Sequence, residues 1–142
     1  MSCDRRDFVR HGTAALAVVL LPGCASLVTR RVPVENGLVR LSLRQYPELA
    51  EPRGSLRLMP DGWEDPVYLL ALDDGGFAAV SSICTHRGCT VDLGGPGFAC
   101  PCHGSQYDRE GKVVKGPASR ALTRYAIRVS GDELVIEVGA TP

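Results

Sequence analysis

The sequence predicts an all-β domain, an antiparallel sandwich or small barrel, and three observations predict it. Six segments of five to seven residues alternate apolar and polar positions or run apolar throughout. Turn residues close each of them. Sixteen Gly and ten Pro in 142 residues argue against a helical bundle. Aromatic content is 6%, so the core rests on Val, Leu, Ile and Ala. With 16 basic and 16 acidic side chains there is no basic stripe for nucleic acid, and 44% hydrophobic residues exclude wholesale disorder. The length suits one small domain and not two.

The first segment stands outside that domain. Arg5 and Arg6 open the string RRDFVR, and residues 13–21 then read TAALAVVLL without a charge. A basic start before a short apolar run is a secretory leader, and the paired arginines resemble the twin-arginine export signal. Leu21-Pro22-Gly23-Cys24 resembles a lipobox, which would put a lipid on Cys24 and make residues 1–23 a leader. The rival is an uncleaved anchor, since residues 11–29 carry no Asp, Glu, Lys or Arg. At about 1.5 Å per residue such a run nearly crosses a hydrocarbon core of about 30 Å. Only nine of those residues are strongly apolar, which favours the lipid. Either anchor places the protein at a membrane, outside the cytoplasm.

Residues 24–36 read as a linker, polar and basic without periodicity, and residues 37–140 as the folded domain. Within it, Leu38–Arg44 and Ser55–Met59 alternate as half-buried strands, the second closed by Asp61-Gly62. Val67–Leu72 is a continuous apolar run. Asp73-Asp74-Gly75-Gly76 turns it into Phe77–Ile83, and Gly131-Asp132 joins Tyr125–Val129 to Glu133–Val138. Trp63 is expected to serve packing.

Between these strands lie Cys84-Thr85-His86-Arg87-Gly88-Cys89 and Cys100-Pro101-Cys102-His103-Gly104-Ser105. Four Cys and two His thus fall within 20 positions of a domain that otherwise has neither. Six ligands are too many for one tetrahedral ion. A zinc site would take two Cys and two His and leave two thiols over. A two-iron, two-sulfur cluster with mixed Cys and His ligation would leave two thiols as well. Outside the cytoplasm such thiols can pair as a disulfide.

CTHRGC and CPCHGS resemble the two boxes of Rieske iron–sulfur proteins, closely those of quinol-oxidising cytochrome bc complexes. The likeness extends from about Leu38 to Val138 and includes SQYDREGKVVKGPASRAL after the second box. It implies a Rieske-type antiparallel β-sandwich with a cluster-binding subdomain formed by two loops, and one [2Fe-2S] cluster per subunit. It further implies that Cys84 and Cys100 bind the inner iron, His86 and His103 the outer iron, and that Cys89 and Cys102 form a disulfide. Ser105 and Tyr107 stand where high-potential members carry hydrogen-bond donors to a bridging sulfide and a ligand cysteine. Gly88 and Gly104 would let the backbone approach the sulfurs. Gly116-Pro117-Ala118 is either the proline loop over the cluster or a plain turn. The 13 residues between His86 and Cys100 are fewer than in respiratory members. The shortening falls in Gly94-Gly95-Pro96-Gly97 and bears on the docking surface, not on the cluster.

Neutral imidazoles in place of two thiolates make an added electron easier to accept. The potential rises from about −400 mV in plant-type clusters to between about −150 and +300 mV, and hydrogen bonds to the sulfurs raise it further. In quinol-oxidising members an exposed ligand histidine accepts a hydrogen bond from quinol as the electron moves. The resemblance implies a membrane-associated one-electron carrier between a quinol- or substrate-oxidising partner and a cytochrome. The alternatives are the Rieske subunit of a quinol–cytochrome c reductase or of a periplasmic molybdenum oxidase. A cytoplasmic Rieske ferredoxin fits less well, because such proteins generally lack the pair corresponding to Cys89 and Cys102.

Overall fold

The computed structural model describes residues 27–139. The twin-arginine leader expected over residues 1–23 and the lipidation expected at Cys24 lie outside the described residues. Eleven strands form two sheets, and no α-helix occurs among the described residues. The large sheet takes β1 (Thr29–Val32), β2 (Leu38–Ser42), β3 (Ser55–Pro60), β4 (Val67–Ala71), β5 (Phe77–Ser81), β10 (Arg124–Ser130) and β11 (Glu133–Glu137) in the order β1-β3-β4-β5-β10-β11-β2. The small sheet is a meander of β6 (Asp92–Gly94), β7 (Gly97–Ala99), β8 (Gln106–Asp108) and β9 (Val113–Lys115).

The six strands read from the sequence are all present, within two residues at each end. Two features depart from that reading. Residues 29–32, assigned to the linker 24–36, form β1, which pairs in parallel with Arg57–Pro60. Its one buried side chain, Val32, joins the core while Thr29, Arg30 and Arg31 stay exposed, so the string carries no periodic signal. The four strands of the small sheet were also missed. At three residues each they are too short to show a period.

Strand β10 turns a corner. Arg124 and Tyr125 pair with β5, and Ala126–Ser130 pair with β11. The large sheet thereby folds over a first core, in which Val39, Leu41, Leu134 and Ile136 meet Leu56, Leu58, Val67 and Leu69. Trp63 packs at its edge, its ring 6.0 Å from Tyr125.

The unbroken apolar run at β4 has a simple cause: both of its faces are covered. Alternation sends Val67 and Leu69 into the first core and Tyr68 and Leu70 into a second, beneath the small sheet. In β5, Ala79 and Val80 divide the same way. The second core also holds Cys84, Phe98, Cys100, Tyr107, Ala118 and Leu122. The cysteine loops therefore stand on the same hydrophobic base that joins the two sheets.

Leu69 is 0% exposed. Leu69→Ala is expected to cost about 2–5 kcal/mol of unfolding free energy. It should lower the melting temperature seen by circular dichroism and leave the second core unchanged below the transition.

Candidate metal centre

The first loop follows β5 and the second joins β7 to β8, and they close alike. The Cys84 N–H donates to the Cys89 carbonyl (2.7 Å) and the Cys100 N–H to the Ser105 carbonyl (2.8 Å). The Gly88 N–H donates back to the Cys84 carbonyl (2.9 Å) and the Gly104 N–H to the Cys100 carbonyl (3.0 Å). Both glycines have φ of +78°, in the left-handed region where a side chain is strained. A Cβ would meet no atom of the chain within 4 Å at either. Backbone conformation, not space within the chain, requires glycine there.

The two loops are joined by a Cys89–Cys102 disulfide, with Cα atoms 6.5 Å apart. The Cys100 Sγ lies beside it, all three sulfurs within 4.8 Å of one another. Cys84 and Cys100 remain as free thiols, 2% and 3% exposed. His86 is half-buried and His103 exposed, their ring centroids 4.9 Å apart and nearly perpendicular at 88°. The His86 Nδ1 is buried and has no hydrogen-bond partner.

The inner side of the site is polar and fully engaged. The Tyr107 hydroxyl is 3.2 Å from the Cys84 Sγ, 3.1 Å from the Thr85 Oγ1, and accepts the Thr85 N–H at 3.2 Å. The Thr85 hydroxyl donates to the Arg120 carbonyl (2.6 Å), so toward Tyr107 it can only accept. The single phenolic proton is thus shared between Thr85 and the Cys84 sulfur. Ser105, 0% exposed, accepts the Ala118 N–H at 3.0 Å and keeps its own proton for the sulfur side.

Burial pushes the Cys84 thiol up. Hydrogen bonds from the Tyr107 hydroxyl, the His86 backbone, and the Cys100 and Ser105 side chains outweigh it and hold the thiol below its ordinary value. Burial and the adjoining Cys84 sulfur push the Tyr107 phenol up, which keeps it a donor.

Sequence reasoning did not single out Thr85 or the backbone of residues 118–120, whose part depends on contacts 13 to 35 positions away. It left the segment at Gly116-Pro117-Ala118 between a covering loop and a plain turn. The segment covers the site: Ala118 and Leu122 enter the second core, and Ala118 and Arg120 bond to the second and first loops. The turn at Gly94–Gly97 closes β6 and β7 at the end away from both cysteine loops.

Two buried free thiols, two facing imidazoles and an unpartnered ring nitrogen could hold a metal group, and donors on the inner side favour sulfur in its anionic form. These features define a metal-binding β-domain with mixed Cys and His donors. Residues 53–126 match the Rieske [2Fe-2S] domain, and the chain belongs to this family. The cytochrome b6-f complex iron-sulfur subunit of Prochlorococcus marinus (strain MIT 9215) is 44% identical over 77 residues, covering 51% of this chain and 43% of the relative. That of Synechococcus sp. (strain CC9605) is 40% identical over 91 residues, covering 61% and 51%. The chain spans about half the length of the curated relatives it matches. Among solved structures, the plasma membrane Rieske protein PetC3 from Synechocystis PCC 6803 superposes with a TM-score of 0.51 at 38% identity, covering 58% of this chain and 85% of that one.

The protein is a Rieske iron–sulfur protein and carries a [2Fe-2S] cluster. Zinc would find the same donors attractive; the family match decides for the cluster.

The disulfide sets a prediction. Cys89→Ser leaves both free thiols and both imidazoles in place but unties the loops. The visible absorbance of the variant, incubated aerobically with a chelator, is expected to decay at least several-fold faster than that of the parent. Equal decay would mean the disulfide is not what holds the loops.

Proposed function

We propose that Cys84 and Cys100 bind one iron of the cluster and His86 and His103 the other, in a membrane-associated, high-potential one-electron carrier. The carrier is anchored through a lipid on Cys24 after twin-arginine export and faces the periplasmic side. It passes electrons from a quinol- or substrate-oxidising partner to a cytochrome. The observation that carries this reading is the convergence of two buried free thiols and two imidazoles from loops tied by the Cys89–Cys102 disulfide.

When bound, the cluster supplies a one-electron couple whose charge is lowered by its two neutral ligands. The chain's own residues do the rest. Cys84 and Cys100 sit in the apolar second core, which excludes water from the inner side. His86 and His103 stand at the outer side, and His103 is exposed, which gives a partner a short path to the centre. Tyr107 donates toward the Cys84 sulfur, and Ser105 directs its proton to the same side. Both bonds strengthen as negative charge on sulfur increases, so both favour the reduced state.

A second reading, the Rieske subunit of a quinol-oxidising cytochrome complex, is supported by the likeness to cytochrome b6-f iron-sulfur subunits.

Voltammetry of the full chain tests the proposal. The expected midpoint lies in the upper half of the range from about −150 to +300 mV. A hydrogen bond worth about 1 kcal/mol more in the reduced state corresponds to about 40 mV for one electron. Tyr107→Phe is therefore expected to lower the midpoint by about 40 mV, and Ser105→Ala by a similar amount. A low potential in the parent, unmoved by either substitution, would contradict the assignment.

A further inference from the structure

Three exposed cations belong to the segments that flank His86 and His103, in a chain that is neutral as a whole. Arg87 adjoins His86 in the first loop. Lys115 pairs with Gln106 beside the second loop, and Arg120 lends its carbonyl to Thr85. All three side chains belong to exposed residues. Residues 84–90, 100–106 and 115–123 contain no Asp or Glu, and the carboxylates at this end of the domain, Asp92 opposite Ala99 and Asp65 beside Ile83, lie outside the loops themselves. Among the described residues none of the three forms a salt bridge, whereas Arg30, Arg40, Arg44, Lys112, Arg124 and Arg128 each pair with a carboxylate. Arg31, Arg53, Arg57 and Arg109 also lack a carboxylate partner, so three of the seven unpaired cations among the described residues stand beside the two cysteine loops.

That end lies opposite the point where the chain enters the domain. Leu27 and Val28 line a hollow with Gly54 and Ser55, at the start of β3. Arg109, past the far end of β8, binds the Arg53 and Gly54 carbonyls. The pairing of Ser55 with Leu70 and of Ala71 with Phe77 puts the start of β5 at this end too. The cysteine loops follow the other ends of β5 and β7.

We propose that Arg87, Lys115 and Arg120 form a collar that docks an acidic electron-transfer protein from the aqueous phase, over His86 and His103. This rests on the carrier reading above and names the chemistry of its partner. Unpaired charges at the rim of a redox contact steer encounter and set its salt dependence, and three of one sign attract an acidic face. A chain anchored through its N-terminal segment turns this end away from the anchor.

Stopped-flow oxidation of the reduced full-length holoprotein tests the collar with two probes of opposite charge, ferricyanide and tris(phenanthroline)cobalt(III). Raising ionic strength from about 10 to 200 mM is expected to slow ferricyanide about tenfold and to accelerate the cobalt complex. The variant combining Arg87→Gln, Lys115→Gln and Arg120→Gln should flatten both dependences, each rate being referred to the variant's own midpoint potential. If that variant does not load the cluster, Lys115→Gln and Arg120→Gln singly should each remove about a third of the slope. Flat dependences in the parent, or unchanged ones in the variants, would overturn the proposal. So would a ferricyanide rate suppressed in phosphatidylglycerol vesicles relative to phosphatidylcholine and restored by the variant, since the collar would then bind the membrane. A parent without a reversible one-electron couple would overturn the carrier reading, and this proposal with it; voltammetry shows that before any rate is taken.

Discussion

Two buried thiols and two imidazoles meet at one place although they come from two loops that belong to no regular element. The closure of those loops is the constraint on which the rest depends. Each is a turn in which a cysteine N–H reaches the carbonyl five residues on, and a glycine at φ +78° returns a bond to the cysteine carbonyl. The identical closure explains why CTHRGC and CPCHGS share a Gly at the fifth position. The disulfide then fixes one loop against the other. It removes freedom that the unfolded chain would otherwise hold, over a loop of 13 residues.

The scaffold serves that closure by dividing its strands between two cores. β4 and β5 are shared, one face turned to the folded-over large sheet and the other to the small sheet and the cysteines. Cys84 and Cys100 are members of the second core as well as the proposed donors, so packing holds in place the groups assigned to the cluster. The Tyr68 hydroxyl bonding the Val91 carbonyl, and the Val91 N–H bonding the Ser82 carbonyl, lock the small sheet to β4 and β5 next to the first loop. Burial of these polar groups would be costly without such partners.

Much of this was legible in the sequence, and for identifiable reasons. The strands of the large sheet that carry five or more residues show their period, and the turns DDGG and GD mark their hairpins. The Cys and His strings are local and dense, and their pattern carried the family likeness that the comparison of residues 53–126 bears out. What stayed hidden is non-local. β1 is held by a parallel neighbour and one buried valine, and its own residues TRRV carry no signal. The small-sheet strands exist because they pair with one another across turns, not because of composition. Thr85 reads as an ordinary loop threonine until the fold brings Tyr107 and Arg120 to it.

The central claim is that two cysteines and two histidines, one of each from either loop, divide the cluster between them. Electron–nuclear double resonance on the reduced full chain, labelled with 15N-histidine, counts the imidazole nitrogens coupled to the unpaired electron. The account predicts two, with one coupling lost or replaced in His86→Cys and again in His103→Cys. A parent with no coupled histidine nitrogen, or with one, would contradict it.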